Sequence, residues 1–84
     1  MISITIYSRQ GCHLCEQMKA TVEQVAAPFP HSLEEVDIST DPELESRFGL
    51  EIPVLLVDGR KTAKYRITED ALERVLRDRI GKSG

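Results

Sequence analysis

Cys12 and Cys15 are the only thiols in the chain, and they frame the tetrad Cys12-His13-Leu14-Cys15. A pair at this spacing has three chemical uses: exchanging electrons with a disulfide, holding a metal, or filling a core as small apolar side chains. One helical turn returns the second cysteine to the side of the first, within disulfide reach. A helix start also offers unpaired N–H groups and a partial positive charge, both of which stabilise a thiolate on Cys12. Arg9, three residues upstream, and His13 can add positive charge. The expected consequence is a Cys12 pKa below the free value of about 8.5, toward ~5–7. Cys15, followed by Glu16, keeps a higher value. Cys12 is thus the expected nucleophile and Cys15 the thiol that resolves the mixed disulfide.

Metal binding is the rival use. A structural zinc ion wants about four ligands, and the chain offers only the two cysteines with His13 and His31. His13 is wedged between the thiols and poorly placed to share their ion. Two protomers contributing a dithiol each would complete four thiolates around an ion or iron–sulfur cluster, so a bridging module is the alternative reading. An inert pair is at odds with an exposed helix start.

The elements that position the dithiol follow from patterning. Ile2 to Tyr7 alternates Ile2/Ile4/Ile6 against Ser3/Thr5/Tyr7, a strand of β-branched residues. Ser8 to Gly11 is a polar turn. From Cys12 the period becomes helical, with Leu14, Met18, Val22 and Val25 as the stripe, until Pro28-Phe29-Pro30 ends it. Leu33, Val36 and Ile38 mark a second strand, with His31 before it in a loop. Asp41-Pro42 caps and opens a short helix over Glu43 to Phe48 that Gly49 ends. Ile52 to Val57 is a buried strand that opens with a proline, and Asp58-Gly59 predicts a hairpin into a strand over Lys61 to Arg66. In that strand Thr62, Lys64 and Arg66 share one face, Ala63 and Tyr65 the other. Thr68 caps a last helix with Ala71, Leu72, Val75, Leu76 and Ile80 as its stripe, an Ile67–Leu72 staple, the pairs Asp70/Arg74 and Glu73/Arg77, and Gly81 as its end. The order β-α-β-α-β-β-α predicts one domain over residues 1–84: an α/β fold whose four-stranded mixed sheet carries three helices, its first two strands parallel across a right-handed crossover.

Composition limits the functional classes. In 84 residues with 40% apolar and 30% charged side chains, one soluble domain is expected. Eleven basic against fourteen acidic residues, a net of −3, give no footprint for nucleic acid or anionic lipid. Two cysteines are too few for a disulfide-stapled secreted scaffold. The start Met1-Ile2-Ser3 lacks the features of a signal peptide and no apolar run reaches membrane-span length, so the expected address is the cytoplasm. Arg60, Lys61, Lys64 and Arg66 form a basic patch, suited to guarding an edge strand or docking an acidic partner.

Tyr7-Ser8-Arg9-Gln10-Gly11-Cys12-His13-Leu14-Cys15 resembles the glutaredoxin pattern Tyr-Ser-Lys-x-x-Cys-Pro-Tyr-Cys, with Arg9 for the lysine. Glu51-Ile52-Pro53 is similar to that family's Thr-Val-Pro, and Leu56-Val57-Asp58-Gly59 to its Phe-Ile-Asn-Gly. The resemblance spans nearly the whole chain. It implies a thioredoxin-like fold of glutaredoxin type, a cis Pro53 facing the dithiol, and a substrate paired on the backbone of Ile52. Tyr7, Gly11 and Leu14 complete the implied substrate-contacting set. It further implies a thiol–disulfide oxidoreductase with no cofactor, acting as a monomer on protein or small disulfides and reduced by thioredoxin reductase or glutathione. Three departures point away from glutathione. His13 and Leu14 stand where proline and an aromatic residue are usual. The run Lys61 to Arg66 lacks the family's Gly-Gly, and Glu69 and Asp70 put carboxylates at a helix start that would otherwise receive an anion.

Overall fold

Ile2, Ile4 and Ile6 all point to one side of β1 (Ile2–Ser8), and that side is where the core forms. The computed structural model describes residues 1–82, in the order β1, α1 (His13–Ala26), β2 (His31–Asp37), a 3-10 turn (Ile38–Thr40), α2 (Pro42–Phe48), β3 (Val54–Val57), β4 (Arg60–Lys64) and α3 (Glu69–Lys82). The four strands lie in the order β2-β1-β3-β4. β1 pairs parallel with β2 and antiparallel with β3, and β3 pairs antiparallel with β4. This is the predicted mixed sheet with its three helices.

Met18, Val22 and Ala26 of α1 and Leu72 and Leu76 of α3 pack on the three isoleucines, with Leu55 and Val57 of β3. Tyr7 alternates to the opposite face, where its ring meets Phe48 of α2 at 4.9 Å between centroids. The sheet is therefore a middle layer: α1 and α3 cover one face, and α2 leans on the other near the end that leads to Cys12.

The caps form as their residue types dictate. The Asp41 carboxylate accepts the N–H groups of Glu43 and Leu44, with Pro42 opening α2, and Thr68 Oγ1 accepts from the Ala71 N–H. Asp58 and Gly59 both take positive φ, 51° and 81°, as a tight hairpin requires. Asp58 also accepts from the Ser3 N–H at 2.9 Å and, at 2.7 Å, from Arg79 Nε on α3. One turn residue thereby ties the start of β1 to the last helix.

Several expectations are corrected. The buried stripe of α1 runs through Cys15, Met18, Val22 and Ala26, while Leu14 and Val25 are half-buried, so the helix is rolled toward its second cysteine. His31 is no loop residue. It opens β2 opposite Ile2, with its ring Nδ1 bonded to the Phe29 carbonyl at 2.7 Å. Ile38 is fully buried but lies in the 3-10 turn, because the Asp37 carboxylate captures the Ser39 N–H and ends the strand. Gly49 closes α2 with a right-handed φ of −54°, and a Cβ there would lie 2.5 Å from the Glu45 carbonyl. Space, not left-handed backbone, asks for glycine. β4 ends at Lys64, since Thr62 is an extra residue in the ladder between Lys61 and Ala63 and Tyr65 turns to φ 68°. In α3, Ala71 is exposed, Ile80 is 39% exposed, and the helix runs on through Gly81. Glu73 and Arg77 pair at 3.1 Å, but among the described residues no ion pair joins Asp70 to Arg74.

Two outcomes follow from this packing. Leu76→Ala should lower stability in urea denaturation by about 2–5 kcal/mol, as for a fully buried leucine with no room to collapse. The Asp58 carboxyl is held below its ordinary 3.8 by the Ser3 N–H and then by Arg79. A depressed folded pKa contributes stability that is complete above the unfolded value and disappears as pH falls through the folded one. Asp58→Asn, which tolerates the same backbone, should lower Tm at pH 7, and the gap to the parent should narrow progressively as pH falls below the ordinary 3.8.

Candidate active site

β1 leaves the sheet at Ser8 and turns at once into α1. The Cys12 N–H donates to the Arg9 carbonyl at 3.3 Å, and Gly11 sits third in that turn at φ 77°, a conformation glycine adopts without cost. Cys12 then caps α1 with extended backbone angles, φ −90° and ψ 110°. Its carbonyl accepts from the Glu16 N–H at 3.1 Å, and its Sγ accepts from the Cys15 N–H, also at 3.1 Å. The two cysteines are joined in a disulfide, with their Cα atoms 5.2 Å apart. They are not equivalent: Cys15 is 2% exposed, whereas Cys12 is half-buried and open to solvent.

The disulfide forms part of the wall of a cleft of about 410 Å³ between the start of α1 and the end of β2. No motif in the sequence connects β2 with the dithiol. The parallel register sets Glu35 against Ile6 and Asp37 against Ser8, which puts both carboxylates on the α1 side of the sheet. Buried Ser8 donates its hydroxyl to Glu35 at 3.1 Å, and Lys19 of α1 reaches the other Glu35 oxygen at 3.4 Å. Asp37 is held below the usual carboxylate range by the Ser39 hydroxyl and N–H, with help from Arg9. Arg9 itself is engaged by Glu45 of α2. Gly49 keeps that pair in place, because a Cβ there would lie 2.9 Å from a Glu45 carboxylate oxygen and 3.4 Å from Arg9 Nη2.

The other flank of α1 carries a smaller groove of about 120 Å³, lined by Leu14, Met18, Tyr65, Arg66 and Ile67 among others. Tyr65 occupies the stretch where glutaredoxins have Gly-Gly. Its left-handed φ costs a side chain about 1 kcal/mol, and two contacts hold it: its N–H donates to the Pro53 carbonyl at 2.8 Å and its hydroxyl to the Leu50 carbonyl at 2.9 Å. Leu50 is 93% exposed beside it. The Ile52–Pro53 bond is cis and Pro53 is buried. Tyr7 pairs with Val54 across β1 and β3, so Pro53 lies at the sheet end from which the dithiol turn departs. Ile52 is half-buried, and His13 is exposed on the first turn of α1. Gly11 and Arg9 thus share the cleft with the cysteines, Leu14 lies in the opposite groove, and Tyr7 lies on the far face of the sheet against Phe48. Among the described residues no three of His, Cys, Asp and Glu gather as a metal-ligand group, and no helix is long and apolar enough to cross a membrane.

This architecture is shared. A glutaredoxin-like protein of Dictyostelium discoideum is 33% identical over 91 residues, spanning 96% of this chain and 84% of its own. A structural-genomics protein from X. campestris, XcR50, superposes with a TM-score of 0.76 at 29% identity over 89% of this chain and 96% of that one. A mutant thioredoxin from Halobacterium salinarum matches the fold at a TM-score of 0.64 and 22% identity, over 92% of this chain and 73% of that one. The Glutaredoxin-like domain family (DUF836) matches residues 3–77. With the dithiol at a helix start, a cis proline at the same sheet end and a thioredoxin-like sheet order, the chain belongs to that glutaredoxin-like family.

Proposed function

We propose that the chain is a thiol–disulfide oxidoreductase, a small redoxin that passes two electrons from its Cys12/Cys15 dithiol to a protein or small-molecule disulfide. The observation that carries this reading is the unequal exposure of the two sulfurs at the start of α1. The accessible Cys12 Sγ receives a backbone N–H from the helix it caps, an arrangement that in the reduced form stabilises a thiolate. That thiolate attacks one sulfur of the substrate, forms a mixed disulfide and expels the first substrate thiolate. Cys15, sheltered behind it, then loses its proton and attacks Cys12 Sγ. This closes the intramolecular disulfide and releases the second substrate thiolate. Two electrons have then left the protein, and a reductase or dithiol must return them. Ile52 and Pro53, beside the turn, offer a backbone edge for the substrate chain.

Glutathione is not the favoured donor. The run Lys61 to Arg66 passes through the place of the Gly-Gly with no glycine, and Glu69 and Asp70 stand at the start of α3. NADPH with thioredoxin reductase should reduce the oxidised protein faster than glutathione with glutathione reductase. Fast turnover with glutathione would overturn this part of the reading.

Single substitutions separate the two sulfurs. Cys12→Ser should abolish reduction of hydroxyethyl disulfide, a loss of at least a hundredfold. Cys15→Ser should accumulate the mixed disulfide, visible as added mass on the intact protein. Parental rates from Cys12→Ser would defeat the assignment, as would anaerobically purified protein that carries iron or zinc between two chains.

A further inference from the structure

The cleft beside the dithiol is electrically unbalanced. Both of its cations are already satisfied: Arg9 by Glu45, and Lys19 by Glu35. Two further carboxylates line the same cleft, Glu16 on the first turn of α1 and Asp37 at the end of β2. Among the described residues neither has an ion-pair partner, and Asp37 is kept ionised by Ser39. Cys12 and Cys15 form part of this wall, and although Arg9 acts on Asp37 from a distance its own ion pair is with Glu45, so any disulfide reaching Cys12 from this side enters a field of net negative charge. The basic residues of β4 do not cancel it. β4 is the opposite edge of the sheet, three strand spacings or roughly 14 Å from β2, and its Lys61 is paired with Glu51. Arg66 lies in the groove on the other flank of α1.

Resting on the redox reading above, we infer that the cleft selects its substrate by charge: the disulfide this protein reduces carries cationic groups next to the sulfurs, such as ammonium or guanidinium, and anionic disulfides are disfavoured. Nothing is added to the electron balance. The dithiol is oxidised to the Cys12–Cys15 disulfide, the substrate is reduced to two thiols, and the two protons the dithiol gives up equal the two the product thiolates take, exchanged through solvent. A carboxylate about 7 Å from a charged group in water changes a rate roughly threefold at low salt, so two acting together give about tenfold.

The test is single-turnover oxidation of pre-reduced protein by cystamine (dicationic), hydroxyethyl disulfide (neutral) and 3,3′-dithiodipropionate (dianionic). Each rate is divided by the rate of the same disulfide with dithiothreitol, which removes intrinsic reactivity. The normalised cystamine rate should exceed the hydroxyethyl disulfide rate by about tenfold at low salt and the dithiodipropionate rate by roughly the square of that, and the cystamine-to-dithiodipropionate ratio should fall to about two- to threefold in 0.5 M NaCl. The pair Glu16→Gln and Asp37→Asn should lower the low-salt ratio severalfold, the asparagine retaining a side-chain oxygen for the Ser39 N–H. A ratio at or below one, or one indifferent to salt in the parent protein, overturns the inference while reduction of hydroxyethyl disulfide still upholds the redox reading. Failure to react with the neutral disulfide defeats both.

Discussion

The first turn of α1 begins with N–H groups that no carbonyl inside the helix can accept, and one of them is directed at the Cys12 sulfur. Much of the molecule depends on that constraint. A sulfur can cap the helix only if β1 ends immediately before it, which the Arg9–Cys12 turn and the positive φ of Gly11 accomplish. The helix can present its start at the sheet end only if its length lies on the β1 core, which Met18, Val22 and Ala26 ensure. Burial of Cys15 follows from the same docking, because it is the first residue of the stripe. The chemical inequality of the two thiols is therefore a packing outcome: one residue faces the sheet and the other faces out.

What was legible in the sequence was what local chemistry decides. Alternating isoleucines gave β1, Asp41-Pro42 gave the start of α2, Asp58-Gly59 gave the hairpin, and Cys-x-x-Cys after a strand gave the dithiol. What was hidden depends on register and neighbours. Glu35 and Asp37 look like parts of a solvated acidic run until pairing with Ile6 and Ser8 sets the face they point to. Cys15 and Ala26, small residues, take the centre of the α1 stripe, with the bulkier Leu14 and Val25 half-buried at its margins, a roll set by how the helix docks on the sheet and not by its own periodicity. Tyr65 carries no signature of a left-handed residue. Its conformation follows from contacts with Pro53 and Leu50, which are distant in sequence.

The two flanks of the dithiol depart from the glutaredoxin sequence pattern in different ways. On the Pro53 side, the run Lys61 to Arg66 contains no glycine, and Tyr65 holds its ring there through a hydroxyl bond to the Leu50 carbonyl. On the β2 side, the arginine that replaces the glutaredoxin lysine is joined to α2 through Glu45, with Gly49 holding the space for the pair. A charge that would otherwise meet an incoming anion is spent on the protein's own framework. The same ion pair links α2, on one face of the sheet, to the turn that carries the dithiol.

Asp58 has a wider effect than its place in a two-residue turn suggests. It bonds to Ser3 near the start of the chain and to Arg79 in the last helix, so the first strand, the hairpin and the final helix meet at one carboxylate. Chain ends in small domains commonly fray, opening locally with little free energy. Here neither terminal element can peel away without breaking the shared contact to the other. The amides of β1 and of the late turns of α3 should therefore exchange with deuterium only through concerted opening, at rates closer to global unfolding than to end fraying.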